Sequence, residues 1–528
     1  MAKTKVKTRG LTDLNVTNAK IAAGTIDVTA KITGVVPAAN LGSGTASSST
    51  YLAGDSTYKT ISEYDDDKLQ SNIALLGFKC AVNGSLAKYN LVDQIIDEYE
   101  DATGIDAGAS TNEILDAGVY FGGAISNPTG ATSTDTSVSG YRIEVLSAAS
   151  GSLVIASSAN VDVLVVGGGG SGGCGYAGGG GAGGLIYKAA HALTAQTYAW
   201  VTGAGGAGQT TSDANGNTGA DSTWTDASAS VEFTAKGGGA GSGAGTAAGG
   251  QGEDGGSGGG NSYSVSTPGS ETQSAQSGDS GTYGFGFDGG TGNGDNVSPY
   301  ASGGGGGAGS VGDDGDSSDS GDGGTGKDYS AIFGTAVGDS GWFASGGGGG
   351  WSSGGAAAGS ASSGGGTAGG TPSAGASSAA TANTGGGSGG GASGNGNSGA
   401  GGSGIILVKY ADGAFVVAGS DLTLQSTDTT AMTEPDYADM VMLMENASGT
   451  ATLNTDIKGY ISEDSGVTFT QGTLVDEGTW GTNKKILAFH DLDISAQSGT
   501  SMCYKITTHN QSAGSKVTKI HATSIGWR

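Results

Sequence analysis

Residues Val161–Tyr187 read VDVLVVGGGGSGGCGYAGGGGAGGLIY, an apolar strand that runs directly into glycine and then returns to apolar residues. A dinucleotide-binding turn also follows a strand, but it opens a helix and needs an acidic residue about 20 positions further on. The next residues, KAAHALTAQTYAWVTGAGG, are β-rich and then rich in glycine again, with neither a helical stripe nor a suitable acid. The sequence therefore predicts no bound nucleotide, and it indicates no other cofactor.

The composition of the whole chain excludes several classes of protein. Of 528 residues, 110 are glycine and only 6 are proline, and glycine keeps no strict third-residue period, so the chain is not collagen. The net charge of −27 opposes contact with nucleic-acid phosphates and anionic lipids. No stretch is long and apolar enough to span a bilayer, so we expect no membrane insertion. The three widely spaced cysteines suggest neither a disulfide framework nor a metal site.

Shifts in composition divide the chain into four predicted regions. Residues 1–62 form a low-charge extended or β segment, too poor in apolar residues to bury a core alone, and residues 63–117 form a short helical segment. Residues 118–410 form a glycine-rich domain with a frame of β-strands. Residues 411–528 have ordinary composition and six or seven strand-like runs at the spacing of a β-sandwich.

The helical segment contains two apolar seams. In the first, Leu69, Ile73, Leu76 and Cys80 recur at helical spacing; the second predicts a helix over residues 85–101, with Tyr89, Val92, Ile96 and Tyr99 on one face. Each seam is about two heptads long, which suits a short oligomeric bundle. A helical hairpin packed on a neighbouring domain explains the same pattern equally well.

The glycine blocks allow two interpretations, a flexible linker or packed polyglycine II rods. In polyglycine II the backbone N–H and C=O groups point outward, and chains without Cβ atoms approach closely enough for these groups to pair between rods. Two features favour rods over a linker. The blocks contain large aromatic residues, and they lie between the apolar runs Val161–Val166 and Ile405–Tyr410, which we predict to be neighbouring strands of one sheet.

The predicted fold is therefore mainly β with a short helical segment: a polyglycine II-like rod domain framed by strands, then a C-terminal β-sandwich-like domain. Because residues 1–62 and the two short seams cannot stand alone, we expect an intertwined homotrimer.

Several stretches resemble known bacteriophage proteins. The runs VDVLVVGGGG, GGLIY, TYAWVTGAGGAG, GADSTW, VEFTAKGGGAGSG and GGSGIILVKY resemble the glycine-rich domain of phage tail fibres and adhesins, over about residues 140–410. The stretch that begins ITGVVPAANLGSGT is similar to N-terminal fibre segments. The stretch GTATLNTDIKGYISEDSG is similar to a β-domain found at the C-termini of such proteins.

The resemblance implies a structural virion protein, made in the host cytoplasm, that recognises and attaches to a bacterial host. Its expected partners are copies of itself, other virion proteins bound through the N-terminal region, and a bacterial surface glycan or outer-membrane protein. In such adhesins the glycine rods form a sandwich and loops at its tip contact the receptor. The alternatives are a purely structural fibre or filament and, less favoured, a fibre-borne glycan depolymerase.

No constellation of residues indicates catalysis. The acidic run GDDGDSSDSGDGG (312–324) has no apolar frame to position two carboxylates or to raise a pKa, and it lacks calcium-loop spacing. Three of the four histidines (His490, His509 and His521) lie in the last domain without a catalytic or metal-binding spacing. We therefore predict neither an enzyme nor a metal site.

Aromatic residues that interrupt the glycine blocks are the candidate receptor-binding residues. Aromatic rings in exposed loops stack on sugars and dominate interface hot spots. The same rings could instead be plugs that seal the edges of glycine layers, a role favoured for the last three because glycine surrounds them closely. The candidates are Tyr283, Phe285, Phe287, Tyr300, Trp342, Phe343 and Trp351.

Overall fold

A computed structural model describes most of the chain. It covers residues 50–52, 57–60, 67–84, 88–91, 93–244, 251–264, 267–273, 284–294, 298–351, 357–371, 375–392 and 396–528. The chain divides into two compact units, Met1–Cys80 and Ala81–Arg528. In the part of the chain described, no helix has the length and apolarity to cross a membrane.

The described secondary structure is mostly β, as the sequence predicts. Near the N-terminus lie β1 (Thr50–Leu52), β2 (Tyr58–Thr60) and α1 (Asp67–Gly84). The following elements, up to the end of the glycine-rich region, are β3 (Lys88–Leu91), β4 (Gln94–Asp97), β5 (Glu113–Leu115), β6 (Tyr120–Ile125), β7 (Ser133–Asp135), β8 (Tyr141–Leu146), β9 (Ser150–Val154), β10 (Ala159–Val166), β11 (Leu185–Leu193), β12 (Thr197–Val201), β13 (Ser222–Thr225), β14 (Val231–Ala235), β15 (Gly284–Phe285), β16 (Lys327–Asp328), α2 (Ser330–Phe333), β17 (Trp342–Phe343) and β18 (Ile405–Ala411). The C-terminal strands are β19 (Val416–Ala418), β20 (Thr423–Gln425), β21 (Thr429–Thr430), β22 (Tyr437–Ser448), β23 (Ile457–Ser462), β24 (Thr470–Gly472), β25 (Val475–Gly481), β26 (Lys484–Asp493), β27 (Ser501–Thr508) and β28 (Val517–Trp527).

Two antiparallel sheets frame the glycine-rich region. One has the strand order β15-β11-β10-β18-β8-β7 and the other the order β14-β13-β12-β9. Within the first, β10 pairs with β18 in the register Val166↔Ile405, which confirms the prediction that the two apolar runs are neighbours. The aromatic side chains of Tyr198, Trp200, Trp224 and Phe233 are buried in a core with residues of this sheet, and Phe333 and Phe343 of the α2 region pack on its Leu164 and Leu407.

The glycine segments beyond these strands are packed rods, not a linker. Rod 167–174 continues from β10, and rod 177–184 leads back to β11. The N–H groups of Gly167, Gly170 and Gly173 donate to rod 177–184 over 2.8–3.2 Å, whereas those of Gly168, Ser171 and Cys174 donate to segment 214–220. A change of partner that repeats every third residue is the signature of a helix with three residues per turn.

Each inner rod is hydrogen-bonded on all sides. Rod 177–184 exchanges backbone hydrogen bonds with six segments: 167–173, 236–242, 257–260, 303–306, 347–350 and 385–391. In the runs 167–184, 346–350 and 385–391, positive φ occurs only at Gly175, Tyr176 and Gly385, where the chain turns or enters a rod. The described rods thus form a lattice that satisfies backbone groups between rods distant in sequence, as predicted for polyglycine II.

The C-terminal domain is a two-layer β structure that the glycine-rich domain interrupts. A nine-stranded sheet follows the path β19-β6-β28-β22-β26-β25 with β3, β4 and β5 attached, and a five-stranded sheet contains β20, β27, β23, β24 and β21. Met440, Met442, Leu487, Tyr504 and Ile525 are among the residues buried between them. Strand β6 falls within residues 118–410, predicted to form the glycine-rich domain, but it pairs with β28 and β19 of the C-terminal domain. The glycine-rich region is therefore an insertion between β6 and β19.

The prediction of a second helix is wrong. Strand β3 (Lys88–Leu91) pairs with β4 (Gln94–Asp97), and β4 continues the nine-stranded sheet by pairing Ile95 with Ile525. Asp93, between the two strands, has a φ of 55°, a value suited to a tight hairpin turn. Ile95 and Ile96 are both buried, so two-sided burial in the sheet overrides the weak helical spacing.

The first predicted helix is present as α1, but its apolar seam faces outward in the single chain. Leu69, Ile73 and Leu76 are 50%, 48% and 62% exposed, whereas Ala74 and Phe78 are buried. The stretch 49–61 contains the strands β1 and β2, which pair with each other. The run TIDVTAKITGVV (25–36) lies outside the described residues.

We expect a single methyl group inside the lattice to be strongly destabilising. A Cβ on Gly180 would lie 2.3 Å from the carbonyl oxygen of Gly170, a backbone atom of the neighbouring rod. Gly180→Ala should lower the free energy of unfolding by about 1–3 kcal/mol or more. Chemical denaturation measures this change. The control is Gly108→Ala, in an exposed loop where the nearest atom is a side-chain oxygen 3.3 Å away, and it should change stability by less than about 0.5 kcal/mol. Equal effects would contradict close rod packing.

The His490 imidazole should make stability depend on pH. Nε2 lies 3.0 Å from Oε1 of Glu477, and Nδ1 lies 3.6 Å from Oδ1 of Asp439. Burial alone lowers the pKa of His490, but the interactions with both carboxylates outweigh it and raise the pKa from 6.5 to about 9. The resulting stabilisation is complete below pH 6.5 and is lost as the pH rises through 9.

Thermal unfolding of the wild type and of His490→Gln measures this contribution. The difference in Tm should shrink between pH 6.5 and 9.5. The matched control is His509→Gln, because the Nε2 of His509 faces the hydroxyl of Thr507 rather than a carboxylate. A difference between wild type and His490→Gln that stays constant over this range would contradict the raised pKa.

Candidate functional site

The rods have two ends, which differ in what surrounds them. We call the end at β10, β11 and β18 the base and the opposite end the tip. Rod 167–174 leaves the base and turns at residues 174–177, and rod 177–184 returns. At about 3.1 Å per residue, a rod of eight residues spans about 25 Å, so the lattice separates the tip turns from the framing sheets.

Three tyrosines from different loops meet at the tip. Tyr176 lies in the turn between the two inner rods, Tyr263 follows rod 257–262, and Tyr300 precedes rod 301–308. The ring centroids are 4.6 Å apart for Tyr263 and Tyr300, 5.5 Å for Tyr176 and Tyr300, and 5.7 Å for Tyr176 and Tyr263. Tyr176 meets the other two rings edge to face, an arrangement that aromatic rings prefer, whereas the planes of Tyr263 and Tyr300 are tilted by 58°. We call this group the tyrosine cluster.

The lattice itself positions the tyrosine cluster. Gly260 donates to the carbonyl of Gly179, and Gly179 donates to the carbonyl of Gly303, so the rods that carry Tyr263 and Tyr300 both bond to the tip end of rod 177–184. The hydroxyl of Ser302 also donates to the carbonyl oxygen of Tyr176 at 2.8 Å. The three backbones are thereby fixed, and each ring remains partly exposed.

Burial and neighbouring groups raise the pKa of one tyrosine in the cluster. The pKa of Tyr263 is raised, first by burial and then by Tyr300, Tyr176 and the carboxylate of Asp213. The phenol is therefore neutral at physiological pH and can donate a hydrogen bond as well as accept one. The partly exposed tyrosine cluster has apolar ring area and polar hydroxyl groups on one surface.

Trp351 and an acidic turn lie at the same end. Gly350, which precedes Trp351, donates to the carbonyl of Ala177 at 2.8 Å. The acidic turn contains Asp316, whose carboxylate accepts hydrogen bonds from Ser318 and from the amide of Asp319. These bonds lower the pKa of the exposed Asp316 carboxyl, so the rim of the tip carries negative charge.

The structure separates the aromatic residues that the sequence singles out. Tyr300 and Trp351 reach the tip, whereas Tyr283 lies outside the described residues. Phe287 is 37% exposed, and its carbonyl accepts from Gly258 along the side of the lattice.

The other three aromatic candidates lie at the base. Phe285 pairs with Leu185 beside the sheet, and the Nζ of Lys327 lies 3.8 Å from the centre of its ring. Trp342 is partly buried in β17, and Phe343 is fully buried in the core against the sheet. For Phe343 this placement matches the alternative role as a plug.

Tyr176 and Tyr263 are absent from the sequence-based candidates. Each follows a glycine run that ends in one or two small residues, GGCGY and GGGNSY. An aromatic residue directly after a rod-length glycine run indicates the end of a rod, because a rod must end before a large side chain. The rings come together because particular rods pair with one another. The sequence does not show which rods pair, because the glycine segments are of low complexity.

The described residues contain no group of three His, Cys, Asp or Glu side chains arranged around a common point. The tip presents three rigidly mounted phenols, a partly exposed indole nearby and a carboxylate-bearing turn.

Comparison with known proteins concerns the rod-forming region. The glycine-rich domain family matches residues 147–411, which run from just before β9 through the whole lattice to the end of β18 and include all the framing strands except β7 and β8. No curated protein matches the chain. The matched span is half of the chain and contains every described rod, and on this basis the protein belongs to the glycine-rich domain family.

Proposed function

We propose that this protein is a subunit of a bacteriophage fibre or adhesin that binds a bacterial surface receptor through the tip of its glycine lattice. The observation that carries the proposal is the tyrosine cluster, three aromatic rings from three loops held together at the end of a rigid support. The resemblance of the flanking sequences to phage fibre segments supports the same class.

Rigidity is what makes such a surface useful for binding. Ordering a mobile loop on binding costs free energy that must be offset by the contacts formed. Tyrosine limits this cost further, because it has only two side-chain torsions and offers a large amphipathic ring. The rods therefore act as the scaffold and the tip loops as the contact residues.

The chemistry of the tip favours sugars or an aromatic-lined protein surface as the receptor. Ring faces stack on the apolar faces of sugars, and phenol groups exchange hydrogen bonds with hydroxyls. The carboxylates of the acidic turn and the overall charge of −27 disfavour receptors rich in phosphate. We infer a glycan or an outer-membrane protein loop with few negative charges.

The same proposal includes assembly into a closed homo-oligomer, a homotrimer in the simplest form. The seam residues Leu69, Ile73 and Leu76 are each about half exposed or more in one chain. Three apolar side chains at helical spacing form the seam that a short coiled coil buries. The protein would then belong to the virion surface, with its N-terminal region bound to other virion proteins.

Substitutions at the tip should weaken binding to host cells. In the full-length protein, Tyr263→Ala combined with Tyr300→Ala removes two of the three clustered rings while leaving the rods intact. We expect affinity for cells of the phage host to fall by about tenfold or more, since clustered aromatic residues dominate interface energies. Binding of labelled protein to cells measures this.

The matched control is Tyr141→Ala, because Tyr141 is 42% exposed but starts β8, at the end of that strand away from the lattice. It should leave cell binding unchanged. Wild-type protein that binds no host cell would favour the purely structural fibre instead. An equal loss of cell binding in the double tyrosine variant and in Tyr141→Ala would show that the tip is not the binding site.

Changes in the α1 seam should alter assembly. The triple variant Leu69→Ala, Ile73→Ala, Leu76→Ala removes apolar surface that is exposed in the single chain, so we expect the sedimenting species to shift towards smaller assemblies. Tyr141→Ala, at an exposed position outside α1, should sediment like the wild type. A wild-type protein that sediments as a stable monomer would contradict the oligomer.

A further inference from the structure

The carboxylate of Asp213 lies beside the tyrosine cluster. Asp213 is exposed in the turn at residues 211–213, next to the tip end of the segment that pairs with rod 167–174. A Cβ added to Gly175, the residue before Tyr176, would come 2.8 Å from its Oδ1, so this oxygen lies against the turn that carries Tyr176. The same carboxylate contributes to the raised pKa of Tyr263. Asp213 therefore belongs to the surface that the tyrosine cluster forms.

The lattice fixes the backbone on which this carboxylate is mounted. The amide of Cys174 donates to the carbonyl of Ala214 at 3.0 Å, and the amide of Gly243 donates to Oδ1 of Asn215 at 3.0 Å. The residues directly after Asp213 are thus held by two rods. Asp213 itself has a φ of 58°, a left-handed conformation that aspartate and asparagine adopt more readily than most residues. The carboxylate is presented from a fixed turn, as the rings are.

The glycine-rich domain places no basic residue of its own at the tip. Its basic residues lie on the framing strands, directly after them or in β16, which contacts the sheet through Phe285; they are Lys188, His191, Lys236, Lys327 and Lys409. The tip carries the carboxylate of Asp213 and the acidic turn. A surface with charge of one sign attracts ligands of the opposite sign.

We propose that the tip binds a basic side chain, arginine or lysine, of a protein on the host surface, and that Asp213 selects for its positive charge. The inference rests on the proposed function, because it names the receptor chemistry for the same surface. A cation is attracted to the face of an aromatic ring as well as to a carboxylate. Arginine can stack on a ring while its planar fork bonds a carboxylate.

A basic side chain fits the tip better than a sugar does. A neutral sugar would use the rings and hydroxyls, but it would cover Asp213 without supplying an opposite charge, which is costly. An amino sugar supplies an ammonium group on a rigid ring. The long stem of arginine or lysine instead lets the charged group reach the carboxylate while the stem packs on a phenol ring. Tyrosine and arginine are also the residue types that dominate hot spots between proteins.

Binding of labelled full-length protein to host cells, measured between about 50 mM and 0.5 M NaCl, tests the proposal. Asp213→Asn removes the charge and suits the same left-handed backbone, so the variant should fold like the wild type. We expect it to bind about fivefold more weakly at low salt and to lose less affinity than the wild type as salt is added, because salt screens the charge pair. Protease digestion of the cells should abolish binding of the wild type.

The matched control is Asp226→Asn, which makes the same change of charge in the turn between β13 and β14, at the end of these strands away from the lattice. Asparagine keeps an oxygen for the hydrogen bonds from the amides of Ser228 and Ser230. This variant should match the wild type in affinity and in salt dependence. Thermal unfolding of both variants checks that they are folded.

Four results would overturn the basic side chain while leaving the tip as the binding surface. They are wild-type binding that salt does not weaken, Asp213→Asn that binds like the wild type, an equal loss in Asp213→Asn and Asp226→Asn, and binding that survives protease digestion. The first and the last need no variant. If the wild type binds no host cell, or if Tyr263→Ala with Tyr300→Ala binds like the wild type, the proposed function fails and this inference fails with it.

Discussion

Contact between backbones that carry no Cβ atoms is the constraint on which this structure depends. Rod 177–184 exchanges hydrogen bonds with six segments, and at its glycines an added Cβ would come within 1.9–2.4 Å of a neighbouring atom. Polyglycine II has no hydrogen bonds within a rod, so every N–H and C=O must find its partner in another rod. Glycine is required there for steric reasons, and the flexibility usually associated with it is removed by the neighbours. Where serine replaces glycine, its hydroxyl joins the network, as when Ser388 accepts from Gly172 and donates to Gly399.

Such a lattice cannot form without a frame, because ordering glycine has a large entropic cost. The frame here consists of β10, β11 and β18, whose apolar residues pack on both faces of one sheet. The first two inner rods continue directly from the paired strands β10 and β11, so the pairing of these strands sets the register of the two rods. The C-terminal domain adds a second anchor, since β6 and β19, the strands on either side of the insertion, are hydrogen-bonded to each other.

The lattice also decides where function can reside. Most side chains larger than serine have little room between rods, so chemically varied residues lie mainly at the base, the sides and the tip. The base is occupied by core residues such as Phe343 and Leu185, which leaves the tip loops as the surface on which sequence can vary at little cost to packing. The tyrosine cluster and the acidic turn lie there.

The sequence alone determined the fold class, the interpretation of the glycine blocks as rods and the pairing of Val161–Val166 with Ile405–Tyr410. These follow from local signals: strand-like apolar runs, glycine without side chains, and aromatic residues that no linker requires. The tertiary structure decided the rest. The predicted second helix is instead the strand pair β3 and β4, because Ile95 and Ile96 complete a sheet with β28, a long-range pairing that local periodicity does not reveal. Tyr176 and Tyr263 joined Tyr300 because the partner of each rod is chosen in three dimensions, among glycine segments that are almost identical in sequence.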